Sequence, residues 1–181
     1  EIAVPARFGN SMMRALMSVG QEFGVTAYGT EALGVMRIEK GHVSGNELNG
    51  QTTAQQMGLG QMVSQKKDSI GLVLSRREQM VRDDDYELVG LIPLDPADSL
   101  TAGAHFIAVR APSTAENDEG WVTSVAYSPH LKTYIGLGYI RRGSKRHGDI
   151  VRAVNLLGDQ DIKVKLTNQH FYDAEGRRLH D

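Results

Sequence analysis

The sequence predicts an α+β fold in which helices come first and a small β-barrel comes last. Before about residue 80, three segments have apolar residues at every third or fourth position, as on the buried face of a helix. From residue 86 they alternate in short runs separated by glycine, proline, asparagine or aspartate, a pattern typical of strands and turns. Six such runs predict a small antiparallel six-stranded barrel of jelly-roll-like character: YELVGLIPL, HFIAVRA, GWVTSVAYS, TYIGLGYIRR, DIVRAVNLL and DIKVKL. The acidic stretch at residues 83–85 separates the two patterns, so we expect domains at residues 1–82 and 83–181.

Three helices are predicted in the first domain. The first lies within residues 9–24, where one face is apolar and Gly24 can end the helix; that face carries Met12, Leu16, Val19 and Phe23. The second covers residues 30–40, with Thr30 able to cap it and Gly41 to end it. Residues 42–68 show no period, and a third helix is expected at residues 69–80.

The opening residues, EIAVP, alternate in the manner of a strand that Pro5 ends. No turn or cap precedes them and the chain starts without methionine, so we expect a piece of a longer protein cut inside a sheet. The strand and the helices that follow would then need a sheet formed by residues that precede Glu1.

Composition excludes several kinds of chemistry. The 181 residues include no cysteine, which rules out disulfides, thiolate nucleophiles and cysteine-ligated metals and is compatible with a cytoplasmic location. A net charge of -2 gives no general reason to expect nucleic acid or an anionic membrane as a partner. No apolar run approaches the roughly 20 residues that span a bilayer.

No catalytic set or metal site is expected. The six histidines include no pair three or four residues apart, and no glycine-flanked nucleophile supports a Ser–His–Asp triad. Each of the two GLG segments, at residues 58–60 and 136–138, lacks the third glycine of a dinucleotide-binding turn. The second lies in a strand pattern, where its glycines indicate a bulge or close strand packing.

Two charged segments allow more than one interpretation. The cluster RRGSKRH at residues 141–147 could attract a polyanion such as a polyglutamyl tail or nucleic acid, but a solvated hairpin tip is favoured because no aromatic residue is interleaved with it. The segment RIEKGH at residues 37–42 would be explained by a surface ion pair at a helix end.

The segment YGTEALGVMRIEKGHVSGNELNGQTTAQQMGLGQMVSQKKDSIG resembles the end of the folate-binding domain in the aminomethyltransferase superfamily. RIEKG, the E-L-x-G-x-T-T core and GLG are its most specific parts. VTSVAYSPHLKTYIGLGYIRRG is similar to the superfamily's C-terminal barrel motif, although Val125 stands where that motif usually has the glycine of a turn. The QKKDSIG segment and the tail FYDAEGRRLHD are similar to the branch formed by sarcosine oxidase alpha subunits.

The resemblance implies that residues 1–82 end a folate-binding α/β domain. Glu1 would be the glutamate that hydrogen-bonds the pteridine ring, and Tyr28 and Arg37 are further candidate folate contacts. Tetrahydrofolate is then the implied ligand, whereas FAD, FMN and NAD would belong to the complete enzyme outside this chain. The implied partners are the upstream part of the chain, the other subunits of a hetero-oligomeric sarcosine oxidase, sarcosine and folate.

Two alternatives stay open at this point. One is a stand-alone aminomethyltransferase like the glycine-cleavage T-protein, which the oxidase-like tail argues against. The other is a non-catalytic folate-binding module of the same fold.

Overall fold

The computed structural model describes residues 1–179, so the last two residues of the FYDAEGRRLHD tail lie outside the described part. The chain forms a first compact unit at Glu1–Leu33 and a second that begins at Gly34. Helix α2, at Thr30–Glu39, includes residues of both units. Among residues 1–179, no helix combines the length and the apolar character needed to cross a membrane.

The first unit consists mainly of one α-helix. A short 3₁₀ turn at Ala6–Phe8 leads into α1, Gly9–Gly20, and a second turn at Gln21–Phe23 ends at Gly24, whose φ is +66°. Both the helix and its left-handed glycine end are confirmed. The apolar face of α1 is largely exposed, since Leu16 is 42% and Val19 65% exposed.

The predicted strand at residues 1–5 is wrong. These residues form no ladder with any other part of residues 1–179. A strand exists only through the hydrogen bonds of a neighbouring strand, and alternation of apolar residues cannot supply that neighbour.

Helix α2 and a third helix, α3 at Ile70–Ser75, occupy the places expected for the second and third helices. Gly41, with φ +73°, ends the first of these as predicted, and its backbone passes so close to Gln169 that a side chain there would collide with it. Helix α3, Ile70–Ser75, is shorter than expected, although Ser69 caps it by accepting a hydrogen bond from the Leu72 amide at 3.3 Å. Only Leu72 of this helix is buried, so little packing energy holds further turns.

All six predicted strands form, and they close into an antiparallel barrel. The strands are β1 Tyr86–Pro93, β2 His105–Ala108, β3 Asp118–Ser128, β4 Thr133–Arg141, β5 Ile150–Asn155 and β6 Gln160–Thr167. Their order around the barrel is β1-β4-β3-β2-β5-β6, and β6 pairs with β1 to complete the ring. Closure leaves no free sheet edge, which satisfies the backbone hydrogen-bonding groups of every strand.

The inside of the barrel is an apolar core. Alternate residues of the strands point inward and are almost completely buried, among them Val89, Leu91, Phe106, Val122, Val151, Val164 and Leu166. Leu100 and Ala104, from the segment between β1 and β2, complete this core.

The GLG segment of β4 permits close packing, as the sequence indicated. A Cβ atom on Gly138 would lie 2.7 Å from the Trp121 carbonyl oxygen and 2.8 Å from the Phe106 ring. Val125 lies within β3 opposite Gly136, so the position where related motifs have a turn glycine is extended strand here.

A second apolar cluster lies on the outer face of the barrel, within the unit that begins at Gly34. Ile38 of α2 packs there with Leu88, Ile135, Leu137 and Tyr139, and Val43 and Met57 add to it. The Leu88 amide also donates to the Gln56 carbonyl oxygen at 2.8 Å. The end of α2 and the irregular segment after it therefore bury their apolar residues on the barrel itself, which the sequence did not predict.

Tyr139 connects the cluster to a polar site. Its hydroxyl donates to the Glu47 backbone carbonyl oxygen at 2.9 Å, and its side chain has no exposed surface. The pKa of Tyr139 is raised to about 12. Burial is the largest cause, the nearby Glu47 charge also raises the pKa, and a hydrogen bond with Thr52 partly opposes both.

We expect Gly138→Ala to destabilise the barrel by about 1–3 kcal/mol, the usual scale of overpacking in a filled core. The groups that an added Cβ would meet are the Trp121 backbone carbonyl and the fully buried Phe106 ring, so one of them would have to shift. Gly34→Ala is the matched control, because nothing lies within 4 Å of a Cβ there and alanine favours a helix. Urea unfolding of both variants checks this, and equal midpoints would contradict it.

The raised pKa of Tyr139 predicts that the fold loses stability at alkaline pH. The pKa of Tyr139 is about 12 in the folded protein and near 10 in the unfolded chain. The protonated phenol therefore gives its full stabilisation below about pH 10, and this stabilisation is lost as the pH rises towards 12. Between these values the free energy of unfolding should fall by about 1.4 kcal/mol per pH unit from this group alone. Comparison with Tyr139→Phe isolates the contribution, and parallel pH profiles for the two proteins would show that Tyr139 does not titrate in this way.

Candidate functional site

The end of α2 carries three charged residues that bond to other parts of the same unit. Arg37 pairs with Glu47, Glu39 accepts a hydrogen bond from the Ser128 hydroxyl, and Lys40 pairs with Asp173. The sequence favoured a local surface ion pair within residues 37–42, but these side chains instead bond to the following loop, the barrel and the C-terminal segment. These contacts hold the helix end at three separate points.

Asp173 is ionised more readily than an ordinary aspartate. Partial desolvation raises its pKa, but the Lys40 ammonium and the Arg177 backbone amide both bond the carboxylate and together bring the pKa below its usual range. The Lys40 carbonyl oxygen also lies 2.8 Å from the His170 ring. The C-terminal segment is thus fastened to the same helix end.

Arg37 is held from two sides. Its Nη1 donates to Glu47 Oε2 at 2.8 Å, and its Nη2 donates to the Ser124 hydroxyl of β3 at 2.8 Å. The side chain is 22% exposed. A guanidinium carries five N–H groups, and two of them make these bonds to the described part of the chain.

Glu47 is completely buried and is surrounded by donors. Oε1 accepts from the Thr123 and Ser124 hydroxyls, each at 2.5 Å. Oε2 accepts from Arg37 and from the Ser44 backbone amide at 3.0 Å. A buried carboxylate persists only when its charge is balanced and its lone pairs are satisfied, and these four donors provide both.

A β-bulge explains how Thr123 and Ser124 both reach Glu47. The register of β3 against β4 shifts between Val122 and Ser124. Successive side chains of a regular strand point to opposite faces, whereas a bulge lets two neighbours point the same way. Asn46 adds a hydrogen bond to the Thr123 carbonyl oxygen at 3.1 Å, so the loop follows the irregular strand closely.

Glu47 did not emerge from the sequence as a site residue, although a signal for it exists. Ser44 and Glu47 form a capping box around the 3₁₀ turn Gly45–Glu47. The S-x-x-E spacing is readable in VSGNEL, and Glu47 is also the glutamate of the E-L-x-G-x-T-T core. The spacing indicates a turn, but the contact of the Glu47 carboxylate with Arg37 depends on the fold.

The other two predicted folate contacts lie in the first compact unit. Glu1 is exposed in the irregular segment before α1, and Tyr28 is 65% exposed in the segment between α1 and α2. Both side chains are open to a ligand or to further protein. Their roles stay predictions.

The barrel also has a cleft of its own, of about 380 Å³. His105 Nδ1 and Asp118 Oδ2 lie 2.7 Å apart in it, beside Ser113 and Leu157. The Ser113 hydroxyl accepts a hydrogen bond from Arg152 at 2.7 Å. In the part of the chain that the structure describes, no group of three or more histidine, aspartate or glutamate residues is arranged to hold a metal ion.

The basic cluster at residues 141–147 is largely engaged with the barrel. Arg146 pairs with Glu119 at 2.9 Å and with Asp149 at 3.2 Å. Arg141 stacks over the Tyr86 ring and approaches Asp84 at 3.6 Å. These contacts support the interpretation of this cluster as a turn region of the barrel.

Comparison with known proteins agrees with this geometry. The family model of the GCVT N-terminal domain matches residues 1–67, and that of the glycine cleavage T-protein C-terminal barrel domain matches residues 87–173. The chain is 44% identical over 181 residues to a sarcosine oxidase subunit alpha of Rhizobium meliloti, a match that includes 99% of this chain. It is 35% identical to a sarcosine oxidase subunit alpha of Corynebacterium, a match that includes 98% of this chain. It spans only 18% of the length of either relative.

More distant relatives have the same fold. The chain is 26% identical to an aminomethyltransferase of Desulforamulus reducens, which it matches over 97% of its own length and 46% of that protein. The crystal structure of the glycine cleavage system aminomethyltransferase T from Bartonella henselae superposes with a TM-score of 0.68 at 21% identity, covering 91% of this chain and 45% of that one. The chain therefore belongs to the aminomethyltransferase superfamily, and the domain models of the glycine-cleavage T-protein match most of its length.

Proposed function

We propose that this chain forms part of the tetrahydrofolate site in the alpha subunit of a sarcosine oxidase. The observation that carries the proposal is the 44% identity to a sarcosine oxidase alpha subunit over 181 residues, a similarity that includes the whole segment from α2 to the barrel. Under this proposal, residues 1–82 end the folate-binding domain and residues 83–181 form the barrel domain.

In the complete enzyme, sarcosine would be oxidised at a flavin, with oxygen reduced to hydrogen peroxide. The one-carbon unit, as an imine or formaldehyde equivalent, would pass to tetrahydrofolate and leave glycine and 5,10-methylenetetrahydrofolate. FAD, FMN and NAD would be held by the upstream part of the chain or by other subunits. We also propose a cytoplasmic location, which suits a chain without cysteine.

The proposed folate contacts are matched to the chemistry of the ligand. The Glu1 carboxylate would accept two parallel hydrogen bonds from the 2-amino group and the adjacent ring N–H of the pteridine. The Arg37 side chain is partly exposed and uses two of its five N–H groups in bonds to Glu47 and Ser124, so the other three would suit an anionic or carbonyl oxygen of folate. The exposed Tyr28 ring is the third candidate contact.

A second candidate function is a stand-alone aminomethyltransferase that acts on a lipoyl-bound aminomethyl group. The matches to aminomethyltransferases at 26% and 27% identity favour it, but they are weaker than those to the oxidase subunits. A full-length chain that oxidises sarcosine and shows no lipoyl-dependent transfer would exclude this alternative.

The proposed function is tested by following the one-carbon unit. Without folate, the full-length chain with its partner subunits should convert sarcosine to glycine, peroxide and formaldehyde. With tetrahydrofolate added, methylenetetrahydrofolate should form in place of the formaldehyde. Formaldehyde release that is unaffected by tetrahydrofolate would contradict the proposal.

We expect the 181-residue chain alone to be colourless and to produce no peroxide from sarcosine. Neither a nucleotide-binding turn nor a catalytic set is predicted from its sequence. Absorbance near 450 nm and a peroxide assay on the purified chain check this, and the full-length enzyme is the positive control. Peroxide formation by the purified chain would show that the redox centre lies within these residues.

In the full-length chain, Glu1→Gln should weaken tetrahydrofolate binding by about 1.5–3 kcal/mol, the usual range for a hydrogen bond to a charged group. Sarcosine oxidation in the absence of folate should persist, because the flavin lies elsewhere. Glu22→Gln, at an exposed position in the same unit, is the matched control. If oxidation and folate binding fell together, Glu1 would not have the proposed role.

A further inference from the structure

We propose that Glu47 is a positioning residue for Arg37, and that the barrel sets the direction of the Arg37 guanidinium in the folate site through Glu47 and Ser124. The inference rests on the proposed function, in which Arg37 contacts folate. It adds a specific role for a buried carboxylate and for the β3 bulge. Both lie in the same compact unit as Arg37.

The geometry of the guanidinium supports this role. An arginine side chain is long and loses considerable conformational freedom when it is held in place. Here Glu47 Oε2 and the Ser124 hydroxyl bond different terminal nitrogens, each at 2.8 Å. Two bonds to a rigid planar group restrict its plane and its rotation, so the directions of the remaining N–H groups are fixed as well.

Burial excludes a direct role for Glu47. Its side chain has no exposed surface, and its two oxygens already accept four hydrogen bonds. It therefore cannot contact folate itself and can act only through Arg37. A buried ion pair often adds little stability compared with apolar residues of the same volume, so stability alone does not account for a charged pair at this place, and its directed bond with Arg37 indicates a geometric role.

The Ser124 hydroxyl joins the two partners of this network. It accepts from Arg37 Nη2 and donates to Glu47 Oε1, which orients the hydroxyl without conflict. The Thr123 hydroxyl has a single hydrogen and lies within bonding distance of both Glu47 Oε1 and the Leu137 carbonyl oxygen, at 2.5 and 3.0 Å. The bulge in β3 brings both hydroxyls to Glu47, so the barrel backbone controls the position of the carboxylate.

The test uses the full-length chain with its partner subunits and measures the dissociation constant of 5-formyltetrahydrofolate, a stable folate. Glu47→Gln keeps the shape of the side chain but removes the charge that holds Arg37. We expect its affinity for the folate to fall about tenfold, equivalent to about 1.4 kcal/mol. Folate-free oxidation of sarcosine should stay at the wild-type rate.

Glu39→Gln is the matched control. Glu39 lies at the same helix end and bonds the same strand through Ser128, but it does not bond Arg37. If docking of the helix end on the barrel were the only role of these carboxylates, Glu39→Gln and Glu47→Gln would weaken folate binding alike. We expect Glu39→Gln to bind folate within about twofold of wild type, far from the tenfold change that a lost charged hydrogen bond produces.

Variants of Arg37 separate this inference from the proposed function. Arg37→Ala should weaken folate binding, and adding Glu47→Gln to it should cause no further loss, because the residue being positioned is gone. If Arg37→Ala binds folate normally, both the proposed contact and the inference fail. If Arg37→Ala binds weakly and Glu47→Gln binds normally, the inference alone is overturned.

Ser124→Ala covers the case in which Glu47→Gln does not fold. It removes the bond to Nη2 and the bond that Ser124 donates to Glu47 Oε1, and it leaves the Arg37–Glu47 ion pair in place. We expect folate affinity to fall about threefold, a smaller effect because one of two restraints remains. Wild-type affinity in a folded Ser124→Ala protein would count against the positioning role.

Discussion

The buried ion pair between Arg37 and Glu47 is the interaction on which the rest of the second unit depends. It lies where the end of α2, the loop after it and the bulged strand β3 meet. A carboxylate without exposed surface tolerates this place only because a guanidinium, two hydroxyls and a backbone amide surround it. Removing any one of these donors leaves the buried charge without one of its hydrogen bonds, so the three segments that provide the donors are held together.

The apolar contacts around the ion pair point to the same organisation. Ile38 lies one residue from Arg37 and packs on the outer face of the barrel, next to Tyr139 and Leu137. Tyr139 contributes both an apolar ring to this cluster and a hydroxyl to the Glu47 backbone. Apolar burial supplies most of the free energy of docking, whereas the polar groups determine the orientation in which the segments dock.

The closed barrel makes this orientation reproducible. Its strands have no free edge, and its interior is filled by large side chains that the glycines of β4 allow to approach closely. A bulge in such a frame cannot slide without breaking neighbouring ladders, so the two hydroxyls of Thr123 and Ser124 stay directed at Glu47. A rigid scaffold of this kind fits the proposed role of holding the Arg37 guanidinium in one orientation.

Local sequence signals predicted much of the fold. Alternating apolar residues and turn residues located all six strands, and Gly24 and Gly41 marked helix ends, because these features depend on residues close in the chain. The strand predicted at residues 1–5 was wrong, since a strand requires a partner that alternation does not specify. The third helix was predicted too long because its apolar residues found little surface on which to pack.

By itself, the sequence determined the order of helices and strands, the barrel class and, through RIEKG and the E-L-x-G-x-T-T core, the superfamily to which the chain belongs. The capping box at Ser44 and Glu47 was also readable, because it joins residues three positions apart. Only the tertiary structure decided that Glu47 pairs with Arg37 and with hydroxyls 76 and 77 residues further along the chain. Such contacts depend on strand register and on a bulge, which are properties of the closed barrel and not of any local segment.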